Sequence, residues 1–125
     1  MNQPVPNVTE ADVGRVVRRD FSPGQVDAAH VLLGEYGGKD WHREVTRVRL
    51  AALKLASGNL KKLREAIRTA NQDFRDVLSY AEYPGYFTTI RPEESDDARR
   101  AAAIEEDWRQ YREWLERKSN PREEL

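Results

Sequence analysis

The feature that most limits what this chain can fold into is one unbroken helical period. Leu60, Leu63, Ile67, Ala70, Phe74, Val77, Leu78 and Ala81 fall within an arc of about 100° when the chain is wound as an α-helix. A strand cannot hold such a set on one face, because its side chains alternate with a period of two. The spacing predicts a helix from about Leu60 to about Glu82. Pro84 stops it, since the residue before a proline resists helical angles. The rest of the chain must cover that apolar face.

Local signals place the other elements. Thr9 with Asp12 predicts an N-cap, and Val13, Val16 and Val17 follow in a short first helix to about Arg19. Ser22-Pro23-Gly24-Gln25 predicts a second start, with Ser22 as cap, Pro23 in the first helical position and Gln25 completing a capping box. That helix runs to about Tyr36, where Gly37-Gly38 ends it. Asp40 caps a third helix to Ser57, Gly58 takes a left-handed exit, and Asn59 caps the long fourth helix. Residues 84–92 read as a loop. A fifth helix over about 94–118 carries Ala101, Ile104, Trp108, Tyr111 and Leu115 as its core stripe. Its flanks offer Glu105 to Arg109 and Glu113 to Arg117, each acid four residues before its base. The expected fold is all-α, a four- to five-helix bundle built on a central antiparallel helical hairpin, the third and fourth helices joined by Ser57-Gly58-Asn59. Residues 1–8 read as a flexible arm, 9–118 as a single domain and 119–125 as a frayed tail.

Within this frame, residues 50–84 contain LKLASGNLKKLR followed by DFRDVLSYAEYP. This stretch resembles a family of small bacterial helical proteins that carry a similar turn and a similar acidic-aromatic segment. The resemblance implies a bacterial source and a helical fold. It brings no activity, cofactor or catalytic residue.

Composition narrows the chemistry. The chain has 125 residues and no cysteine, which excludes disulfides, Cys-ligated zinc and thiol catalysis. No apolar run approaches the roughly 20 residues that span a bilayer, and the first ten residues carry no secretory signal. A cytoplasmic protein with no membrane partner is expected. Ser22, Ser57, Ser79, Ser95 and Ser119 lie in no nucleophile elbow, and the phosphate-loop, dinucleotide and zinc-protease motifs are missing. The sequence therefore offers no catalytic residue and no cofactor site. Its two histidines are His30 and His42. Asp27-x-x-His30 is half of a di-iron motif with Asp in place of Glu. Otherwise a metal would need His30, His42 and an acid together. Both histidines read as surface or boundary residues, and no metal is assigned.

Three functional readings remain. The third helix places Trp41, Val45, Val48, Ala52 and Leu55 on one face, while Leu50 and Leu53 point away from it. Trp114 stands off the centre of the fifth helix's stripe. Were Leu50, Leu53 and Trp114 exposed, they would form a partner-binding patch. The leading expectation is thus a non-enzymatic interaction or self-assembly module, a homodimer or a binder of another protein. Burial in the core is the alternative.

The second reading comes from charge. The net charge is -1, but residues 39–68 hold nine bases against three acids. Lys61, Arg64, Arg68 and Arg75 lie opposite the apolar face, in a stripe about 21 Å long. Arg43, Arg47 and Lys54 form a second, shorter stripe. Such rows can track the phosphates of nucleic acid, although a solvated helix face has the same look. The third reading is a small ligand or metal site in the aromatic segment Tyr80, Tyr83, Tyr86, Phe87, Ile90 and Arg91. In its plainer form, Phe87 and Ile90 simply dock the loop on the bundle.

Overall fold

Thr9 starts the first helix by a reciprocal cap. Its hydroxyl accepts from the Asp12 N–H at 3.3 Å, and the Asp12 carboxylate accepts from the Thr9 N–H at 3.0 Å. In the computed structural model, which describes residues 5–89 and 97–118, every regular element among the described residues is helical. The order is α1 (Glu10–Asp20), α2 (Val26–Gly34), α3 (Val45–Ala56), α4 (Leu60–Gln72), α5 (Phe74–Glu82), α6 (Pro84–Thr89) and α7 (Asp97–Glu116). A 3-10 turn, Pro23–Gln25, leads into α2, and Ser22 makes no side-chain cap there.

The expected hairpin forms. Ser57 closes α3 in the left-handed region, Gly58 follows with φ +80°, and the Asn59 side chain accepts from the Lys62 N–H at 2.9 Å to open α4. The fourth helix does not run through to Glu82. Asp73 breaks it: its N–H bonds Thr69 O at 2.8 Å to close α4, and its carboxylate accepts from the Arg75 N–H at 3.0 Å to start α5. The apolar period hides this break, because Ala70, Val77, Leu78 and Ala81 all remain in the core across it. The segment after Pro84 is the short helix α6 where a loop was expected.

Helix α3 is the central element, packed against α1, α4 and α5. This corrects the expected exposed patch. Leu50 and Leu53 are each 0% exposed, because α3 is covered on both sides. Trp114 is 8% exposed, its ring 5.4 Å from that of Tyr111 and 5.3 Å beneath the Arg19 guanidinium. The third helix also starts at Val45 rather than near Asp40, so Trp41 lies outside it and contributes nothing to its core face. On α7, Arg109 pairs with Glu106 and with Glu113, the latter at 2.6 Å, in place of the two expected pairs. Pro6 is buried and Val8 packs on the core, so the arm is docked from residue 6. Ile90, Arg91, Glu94, Ser95, residues 119–125 and the side chain of Phe87 lie outside what the structure describes.

Candidate nucleic-acid interface

Ion pairing sorts the basic residues into two groups. Arg47 is the inner one: Nε and Nη2 donate to the two carboxylate oxygens of Glu82 at 2.8 and 2.6 Å. Burial pushes the Glu82 carboxyl up while Arg47 opposes the shift. Arg49 pairs with Glu10 at 2.8 Å. Lys54 is half-buried, and burial pushes its ammonium down. Arg75 donates to both oxygens of Asp73, and that side-chain bond holds the Asp73 carboxyl below the usual range. The second expected stripe therefore dissolves, and the first loses Arg75.

What remains is compact. Lys61, Lys62, Arg64 and Arg68 are exposed and form no ion pair among the described residues. Glu65 is the one acid of α4. Lys61 to Arg68 covers about 10 Å of helix rather than about 21 Å.

A structured loop flanks this face. The buried His42 ring is fixed at both nitrogens: Nδ1 accepts from the N–H groups of Gly37 at 2.8 Å and Lys39 at 3.1 Å. Nε2 therefore carries the hydrogen and donates to Asn71 Oδ1 at 2.8 Å. Asn71 Nδ2 in turn donates to the carbonyls of Glu35 and Ile67, each at 3.2 Å. Asn71 follows Arg64 by seven residues and Arg68 by three, so the loop is fastened to their side of α4. Tyr36 completes the support. Its hydroxyl donates to Arg43 O at 2.7 Å and accepts from the Arg43 N–H at 3.1 Å, and burial pushes its phenol up. The His42 ring lies 4.1 Å from the Tyr36 ring and 4.1 Å from the Trp41 ring, which meets it edge-on. Trp41 itself is 56% exposed. Sequence reasoning missed this residue by assigning it to a helix. The Gly37-Gly38 pair marked where one helix ends, but Glu44, which opens α3, makes no side-chain cap and so left no start signal.

The remaining candidates separate. His30 is exposed on α2. With both ring nitrogens engaged, His42 has no lone pair for a metal. Among the described residues no group of three or more His, Asp and Glu could hold one. In the aromatic segment, Tyr83 is buried and Tyr80 exposed. Asp107 secures the turn into α6, accepting from the N–H groups of Gly85 and Tyr86, each at 2.9 Å.

No family model, no curated protein and no solved structure matches this chain. Among the described residues no helix is long and apolar enough to cross a membrane.

Proposed function

We propose that the protein binds nucleic acid through the exposed face of α4, with Lys61, Arg64 and Arg68 on the phosphates and Lys62 at the flank. The observation that carries this is the contrast in pairing. Arg47, Arg49 and Arg75 each hold a carboxylate, while four cations within eight residues of α4 hold none. A paired arginine must give up its carboxylate to take a phosphate. An unpaired one only displaces solvent and releases the counterions of the polymer, which is the main source of sequence-independent affinity. The competing reading, self-assembly through Leu50, Leu53 and Trp114, would need those side chains at the surface, and they are in the core.

Oligonucleotide binding followed by fluorescence anisotropy tests the proposal. Three phosphate contacts imply a slope of log affinity on log salt of about -2 to -3. Replacing Lys61, Arg64 and Arg68 together by Gln is expected to weaken binding at least about tenfold and to flatten that slope. Arg75→Gln is expected to change neither, because Asp73 already neutralises Arg75. A parent protein that binds no oligonucleotide at about 50 mM salt, or a triple variant that binds as the parent does, refutes it.

A further inference from the structure

We infer that Trp41 is a stacking platform for an unpaired nucleobase, so that the nucleic acid this face takes is single-stranded. The inference rests on the α4 reading and adds the class of ligand to it. Of the three tryptophans, Trp114 is buried and Trp108 half-buried, while Trp41 leaves more than half its surface in water. The loop that carries it is not slack. His42 is clamped by Gly37, Lys39 and Asn71, and the indole leans on the His42 ring, itself backed by Tyr36. An aromatic held in place in this way loses little conformational freedom when a ligand lands on it.

Its position supplies the second argument. The His42–Asn71 bond ties the loop to the flank of α4 that carries Arg64 and Arg68. The indole packs on the ring of the residue that makes that bond, so Trp41 and the α4 cations belong to elements tied together at Asn71. Lys39 and Arg43 are exposed on the same loop. A row of cations beside an exposed aromatic is the pairing that single strands require, with phosphates on the charges and a base on the ring. A duplex presents its phosphates equally well but keeps its base faces stacked inside, so it offers nothing to Trp41.

The probes are fluorescein-labelled oligothymidylate and oligouridylate of about 12 nucleotides, and a blunt DNA duplex of the same length. The expected result is preference for both single strands over the duplex and quenching of tryptophan fluorescence on their addition. Trp41→Ala is expected to weaken the single strands about 5- to 100-fold, leaving the duplex unchanged. Trp41→Phe is expected to keep part of the affinity while losing the quenching, and it serves if the alanine variant fails to fold by circular dichroism. Similar affinity for the two single strands, or a preference for RNA through its extra hydroxyl, supports the inference equally. If Trp41→Ala binds as the parent does while the triple Gln variant fails, stacking falls and the α4 reading stands. If the triple variant binds as the parent does while Trp41→Ala fails, the α4 reading falls and with it the pairing of Trp41 with those cations, and only base stacking on the indole is left. If the parent binds none of the three probes, both fall.

Discussion

Arg19 in the first helix donates from Nη1 to the main-chain carbonyl of Trp114 in the last, at 2.7 Å. The same nitrogen reaches the Arg117 carbonyl at 2.9 Å, and Arg15 reaches the Leu115 carbonyl at 2.7 Å. The final carbonyls of a helix lack partners within it and carry partial negative charge. Two arginines of α1 therefore cap α7, and Arg19 also covers the Trp114 indole.

Arg19→Ala is accordingly expected to cost about 3–5 kcal/mol in urea unfolding, the range for breaking a buried ion pair. It removes the buried cation that Asp20 meets at 2.7 Å and strips the cap from α7 at once. Arg18, exposed on the same helix, is the control, and Arg18→Ala is expected to stay within about 0.5 kcal/mol.

The hairpin turn depends on a residue free to take positive φ. Gly58, at +80°, should not accept a β-branched side chain. Gly58→Val is expected to destabilise by more than about 1 kcal/mol, as read from the midpoint of urea unfolding.

A different glycine is fixed by space. A Cβ on Gly85 would lie 2.6 Å from Asp107 Oδ1, the atom that accepts the Gly85 N–H. Gly85→Ala is expected to cost about 1–3 kcal/mol by displacing that buried carboxylate. Gly24→Ala, whose Cβ would meet nothing within 4 Å, should be silent by comparison when both variants are unfolded in urea.

Stability should fall at alkaline pH. Burial pushes the phenols of Tyr36, Tyr83 and Tyr111 above their ordinary value of 10.0, Tyr83 to about 12. The unfolded chain releases these protons near pH 10 and the folded chain holds them longer. The stabilisation is thus complete below that pH and is lost as pH rises through the folded values. Urea unfolding between about pH 8 and about pH 11 should show the decline, and Tyr83→Phe should flatten it. At neutral pH, Tyr111→Phe is expected to gain about 1 kcal/mol, because the Tyr111 hydroxyl is buried without a hydrogen-bond partner among the described residues.

What the sequence disclosed followed the range of each signal. The Thr9 cap, the Asn59 cap and the Gly58 exit are set by neighbours within three residues, and all were legible. The break at Asp73 was present as a cap residue, but the continuing apolar period concealed it. Leu50 and Leu53 sit on a helix face whose cover comes from other elements, which periodicity alone does not reveal. In the candidate interface, the exposed α4 row of Lys61, Arg64 and Arg68 was legible from helical spacing. Arg75 dropped out because its pairing with Asp73 accompanies the break. Arg47 dropped out because Glu82 lies 35 residues away, and Trp41 stayed hidden because its loop is set by His42 and Asn71, 29 residues apart.

The α1–α7 clasp also sets an order of events during synthesis. The carbonyls that Arg19 holds belong to residues made 95 to 98 positions later, a delay of roughly 5–20 s at ribosomal speeds. The α3–α4 hairpin, closed by a three-residue link, needs no such wait, since short loops close first. Through that interval Arg19 has Asp20 beside it in sequence, a partner present from the moment both residues emerge. The carboxylate that meets Arg19 in the folded protein is thus available to it before the last helix is made, and the arrival of that helix closes the bundle.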